Sequence, residues 1–136
     1  MVKAKSAKRI LVVDDEIEIT DIVSEFLVGA GYEVICLNDT QGWFEHFNSF
    51  QPDLILLDIS MPGEDGYAIC SQLKADPTSA KVPVVFLSAK DRNEDQGRSF
   101  QAGVDMYIKK PFSGERLLGI VEIVLASAGG AHRQKV

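Results

Sequence analysis

Five short apolar runs, each about the length of a strand, alternate along the chain with stretches whose apolar positions recur at helical spacing. The runs cover residues 10–13, 32–37, 54–57, 82–87 and 104–108 and are rich in Val, Ile and Leu. Three of them are nearly unbroken, as strands covered on both faces should be, while 32–37 is more mixed and suits an edge. After the first run, Ile19, Ile22, Val23, Phe26, Leu27 and Ala30 mark one face of a helix. Gly29 and Gly31 are expected to end it through left-handed backbone. Trp43, Phe44, Phe47 and Phe50 make a core-filling stripe on a second helix. Residues 66–75 read as a third helix, stopping before Asp76-Pro77, and 91–102 as a fourth, closed by Gly103. Ser113 is placed to cap a fifth, whose buried stripe is Leu117, Ile120, Val121, Val124 and Leu125. Past Ser127, the Gly129-Gly130 pair and the polar residues after it read as a flexible tail.

Strand and helix alternating in units of about 20–25 residues predict an α/β fold with right-handed crossovers and helices on both faces of a parallel sheet. Five such units fit a doubly wound, flavodoxin-like sheet with strand order 2-1-3-4-5. That order reverses between strands 1 and 3, and ligands in such sheets bind beyond the carboxyl ends of the strands at the reversal. The residues that follow strands 1 and 3 are therefore the first candidates for chemistry.

Length sharpens this picture: 136 residues with 46% hydrophobic content make one domain with one ordinary core. The expected division is a basic tail over 1–7, the folded domain over 8–128 and a second tail over 129–136. No apolar run is long enough to span a bilayer, and no apolar segment follows the basic N-terminus as a secretory signal requires. Cys36 and Cys70 form no metal or redox spacing and read as thiols of a reducing, cytoplasmic compartment. Charge is unevenly spread. Between Arg9 and Lys74 there are thirteen acids and no Lys or Arg, whereas the segment from Lys74 to Arg116 holds eight basic residues against six acids. The acidic half repels phosphate backbones, which argues against direct nucleic-acid binding, and it favours a cation site.

At the switch point itself, Asp14-Asp15-Glu16 follow strand 1 and Asp58 ends strand 3. Strands 1 and 3 are neighbours in the expected order, so these carboxylates converge although Asp15 and Asp58 lie 43 residues apart in sequence. Glu16 alone reads as a helix N-terminal acid. Asp58 closes an apolar strand and caps no obvious helix. Crowded carboxylates without His or Cys favour Mg²⁺. Strand 4 ends in Ser88 and strand 5 leads to Lys109-Lys110-Pro111. Acids, a hydroxyl and a lysine at four strand ends describe a site for a phosphoryl group.

In these residues the chain resembles the response-regulator receiver domain of two-component signalling, of the chemotaxis-regulator type. The markers are LVVDDE at 11–16, LILLDISMPGEDG at 54–66, FLSA at 86–89 and YIKKPF at 107–112. The resemblance implies that Asp58 is the phospho-acceptor and that Asp14, Asp15, Asp58 and the backbone carbonyl of Ser60 hold Mg²⁺. It makes Ser88 and Tyr107 the switch residues and Lys110 the phosphate-pairing lysine, aimed inward by a Lys-Pro bond that is commonly cis in receivers. It further implies a phosphodonor, a histidine kinase or histidine phosphotransfer protein. Output would pass to a partner or a second copy through the face of the fourth helix, fifth strand and fifth helix. Such a domain is a regulatory switch with no catalytic residues for an outside substrate, and either stands alone or forms part of a longer regulator. A Mg²⁺-dependent phosphatase of similar fold fits poorly, because Asp58-Ile59-Ser60 lacks the second acid of the Asp-x-Asp pair such enzymes usually carry.

Overall fold

The computed structural model describes residues 7–59, 66–89 and 105–129. The apolar runs form five strands: β1 (Arg9–Val13), β2 (Glu33–Leu37), β3 (Leu54–Asp58), β4 (Val84–Ser88) and β5 (Met106–Lys109). All neighbours pair in parallel, in the order β2-β1-β3-β4-β5. The expected fold class and strand order are the observed ones. Every residue of β3 and β4 is buried, while the edge strand β2 is only half-buried.

Four helices lie among the described residues: α1 (Ile17–Gly29), α2 (Trp43–Phe50), α3 (Gly66–Ala75) and α4 (Gly114–Gly129). The helix expected over 91–102 lies outside them, as do Ser60 and both outer tail segments, 1–6 and 130–136. Because side chains alternate across a strand, the sheet builds two cores. Leu11, Val13, Ile55, Leu57, Val84 and Phe86 face α2 and α3, whose Trp43, Phe47, Tyr67, Ile69, Cys70 and Leu73 close over them. Ile10, Val12, Leu54, Leu56, Val85, Leu87 and Ile108 face α1 and α4. Each large apolar side chain so buried contributes about 1.5–3 kcal/mol.

The structure trims several expectations at the element ends and on the helix faces. Tyr32 precedes β2, and Val82 precedes β4 because Pro83, with no N–H to give the ladder, intervenes. In α1 the buried positions are Thr20, Val23 and Leu27, whereas Ile22 and Phe26 are 47% and 42% exposed. A helix resting on a sheet buries only a narrow stripe, and these two sit on its rim. Phe44 likewise stays outside, its ring edge-on to Trp43 at 5.4 Å between centroids. Gly31 takes the left-handed turn after α1 (φ 98°), while Gly29 remains helical. α4 continues to Gly129, two residues past Ser127, since glycine is little penalised at a fraying end. Ser113 caps α4 as expected, its Oγ accepting from the Arg116 amide at 3.1 Å.

Candidate functional site

The parallel register carries β1 and β3 out of the sheet side by side, Val13 opposite Leu57, so the next residues of both strands meet at one rim. Asp14 and Asp58 are there, 0% and 2% exposed, with Asp15 exposed beside them. One carboxylate oxygen from each of Asp14, Asp15 and Asp58 lies within 4.8 Å of the others. Gly66, the first residue of α3, packs so tightly behind this rim that a Cβ there would lie 2.8 Å from the Asp58 carbonyl oxygen and 2.9 Å from Ile59 Cα. Only glycine allows α3 to start this close to the backbone of Asp58.

Lys110 reaches the acids from the far side. Its Nζ lies 2.8 Å from Asp14 Oδ2, 2.8 Å from Glu16 Oε1 and 3.5 Å from Asp58 Oδ2. The Lys110 amide donates to the Ser88 carbonyl at 2.7 Å, tying the segment after β5 to the end of β4. The Lys110-Pro111 bond is cis, as the resemblance implied. Ser88 is fully buried at the end of β4. Tyr107 is half-buried, against the core on the α2–α3 side, and Lys109 is exposed.

Charge crowding shows in the titration of these groups. Burial pushes the Asp14 carboxyl up from 3.8 to about 6; hydrogen bonds from Lys110 and the Glu16 amide pull it down, and the field of Asp58 adds to the rise. Asp15 is also raised, by burial and then by the charge of Asp58 and a hydrogen bond shared with it. For Lys110, burial alone would lower the pKa. Its bonds to Asp14 and Glu16 and the nearby Asp58 charge outweigh this and push it up to about 12. The ammonium is thus firmly charged, one cation among four carboxylates.

Glu16 takes the helix N-terminal place expected of it, and its carboxylate also serves the site. It occupies the N-cap position of α1 but makes no side-chain capping bond; its carboxylate is spent on Lys110. Asp14 Oδ1 accepts from the Glu16 amide at 3.0 Å, just before the helix begins. Two polar residues absent from the candidate set also touch the site. Asn38, just past β2, donates through Nδ2 to the Asp14 carbonyl at 2.9 Å and to Thr20 Oγ1 at 3.0 Å. Their only sequence signals are a polar residue at a strand end and a threonine on the buried stripe of α1.

An all-oxygen set of three carboxylates, one of them open to water, fits a hard divalent cation such as Mg²⁺, which keeps part of its hydration shell. Acids at two strand ends, a buried hydroxyl at a third and an ammonium after a fourth can together hold a phosphoryl group.

Comparison with known proteins agrees with this geometry. Among relatives, the chain is 38% identical over 117 residues to the DNA-binding dual master transcriptional regulator RpaA of Synechocystis, a match covering 86% of this chain and 48% of that one. It is 36% identical over 122 residues to the phosphate regulon transcriptional regulatory protein PhoB of Pseudomonas aeruginosa, covering 90% and 53%. The chain therefore spans about half the length of these relatives. A CheY-like response regulator receiver domain protein from Methanospirillum hungatei superposes with a TM-score of 0.83 at 27% identity, covering 90% of this chain and 97% of that one. The family profile of the response regulator receiver domain matches residues 10–122. The chain belongs to the response regulator receiver domain family, the phosphorylation-dependent regulatory module of two-component signalling.

Proposed function

We propose that Asp58 accepts a phosphoryl group from a histidine kinase or histidine phosphotransfer protein. The observation that carries this reading is the position of Asp58: buried at the end of β3, grouped with Asp14 and Asp15, and 3.5 Å from the Lys110 ammonium. An Asp58 carboxylate oxygen attacks the phosphorus of a phosphohistidine. The O–P bond forms as the P–N bond breaks, and the electron pair leaves with the imidazole nitrogen, which takes up a proton. Asp14, Asp15, Asp58 and the Ser60 carbonyl would hold Mg²⁺. When bound, that ion neutralises charge on the phosphoryl oxygens. Lys110 pairs with another of those oxygens, and the Ser88 hydroxyl donates to a third.

For Lys110 this means exchanging carboxylate partners for the phosphoryl group, which pulls on the segment after β5. Together with Ser88 and Tyr107 it would bias β5, α4 and the helix expected before β5 between two arrangements, a shift that needs only a few kcal/mol. We assign output to that face, toward a protein partner or a second copy, and the setting to the cytoplasm, where the Cys36 and Cys70 thiols stay reduced. The domain acts as a switch without an outside substrate, and contacts neither nucleic acid nor membrane directly.

The test is incubation with Mg²⁺ and acetyl phosphate, read by intact mass. One added phosphoryl group is expected, lost in Asp58→Asn and in EDTA, and labelling should change self-association or partner affinity. Labelling that persists in Asp58→Asn would overturn the assignment of the acceptor, and an association insensitive to labelling would overturn that of the output face.

A further inference from the structure

The Asp14 peptide is held at both ends by the end of β2. Its N–H donates to the Leu37 carbonyl at 3.0 Å, and its C=O accepts from Asn38 Nδ2 at 2.9 Å. That carbonyl belongs to the peptide unit joining Asp14 to Asp15. Its orientation therefore sets ψ of Asp14 and φ of Asp15, and with them the way the two carboxylates face each other. The same Asn38 nitrogen gives its other hydrogen to Thr20 Oγ1 at 3.0 Å, and Thr20 in turn donates to the Ile17 carbonyl at 3.0 Å. Asn38 itself stands at the surface, but Thr20 is only 2% exposed, so the amide is anchored on a buried hydroxyl of α1. Both Nδ2 hydrogens are thus engaged, one on the peptide and one on the anchor.

We infer that Asn38, held by Thr20, is a positioning residue that fixes the Asp14–Asp15 peptide and so presents both carboxylates to a divalent cation. The inference rests on the Mg²⁺ chemistry proposed above. Like charges crowd this rim, and an unrestrained peptide would rotate to separate them. The restraint that opposes this comes from β2, a strand that contributes no carboxylate to the cluster. Partners of this kind, which orient a metal ligand without touching the metal, typically govern affinity by one to two orders of magnitude.

The experiment uses the full chain, with Mg²⁺ Kd from titration calorimetry and thermal melts in EDTA. Asn38→Leu keeps the approximate shape, adds no charge and removes the donor; a rise in Kd of about tenfold is expected, the low end of that range because Asn38 is partly hydrated. Thr20→Val removes only the anchor and should raise Kd by about threefold, an effect that disappears in the Asn38→Leu background because both changes act through one amide. Acetyl-phosphate labelling of Asn38→Leu should fall at subsaturating Mg²⁺ and recover at saturation. A tie that serves only the fold would lower the EDTA melting temperature of both variants and leave Kd unchanged, which overturns the inference while the proposed function stands. A wild-type chain that binds no Mg²⁺ removes both. Should Asn38→Leu not fold, the Kd of Thr20→Val decides alone, and no change in it overturns the inference.

Discussion

Among the described residues Asp14 carries the sharpest conflict: a fully buried carboxyl beside Asp58, relieved in part by Lys110. Its folded pKa of about 6 lies above the ordinary 3.8. Protonated Asp14 therefore favours the folded state. This contribution is complete below the unfolded pKa and is lost as pH rises through the folded one, so metal-free protein should lose stability across about pH 4 to 6. Asp14→Asn, which cannot ionise, should escape the loss. In EDTA at about pH 8 the variant is expected to be more stable than wild type by on the order of 2–3 kcal/mol, with the difference closing near pH 4. Chemical denaturation at the two pH values measures this. A variant less stable than wild type at the higher pH would mean that the ion pair with Lys110 outweighs the burial of charge. The acids themselves were legible in the sequence because Asp14-Asp15 come straight after one apolar run and Asp58 after another. The Asn38 contact was not: the strand order sets β2 beside β1, but the register that brings Asn38 level with the Asp14 carbonyl and the Thr20 hydroxyl that anchors it do not show in the pattern, and Asn38-Asp39 by itself reads as ordinary turn chemistry.

Among the elements, α4 depends on its first turn. Ser113 Oγ satisfies the Arg116 amide, an end group with no partner inside the helix. Gly114 leaves room beside it for the Phe26 ring of α1, and a Cβ at 114 would overlap that ring. Ser113→Ala should lower stability by about 1 kcal/mol, and Ser113→Asp should retain most of it by supplying another capping oxygen. Denaturant midpoints with an unchanged m-value would check both, and an equal loss in the two variants would show that the cap is not what matters. The elements also show where pattern reading reaches its limit. Strand order followed from the strand–helix alternation, and Gly66–Ala75 from turn residues at both ends. The width of the buried stripe did not follow from pattern alone. Ile22 and Phe44 keep helical spacing with the core yet stand outside it, because how far a helix sinks into a sheet is set by neighbours remote in sequence.

At the scale of the whole molecule, the uneven charge along the chain becomes a division of the sheet. Strands β2 and β3, helices α1 and α2, and all of β1 but its first residue, Arg9, come from the stretch between Arg9 and Lys74 that holds thirteen acids and no Lys or Arg; β4, β5 and α4 belong to the part carrying Lys109, Lys110 and Arg116. The site lies on the seam, and among the described residues Lys110 is the cation that reaches across it to the ends of β1 and β3. Among the described residues one ammonium faces the converging carboxylates of Asp14, Asp15, Glu16 and Asp58, so a divalent ion at the rim should stabilise the whole fold. A ligand at a hundred times its Kd adds about 2.7 kcal/mol to stability. Sodium chloride of the same ionic strength only screens, and buried charges are screened weakly. Mg²⁺ should therefore raise the melting temperature well beyond matched NaCl, and Asp15→Asn, which removes the exposed member of the cluster, should abolish most of the difference. Equal shifts from the two salts would mean that the acidic half is relieved by its general ionic surroundings, and that the carboxylates of Asp14, Asp15 and Asp58 converge without forming an ion site.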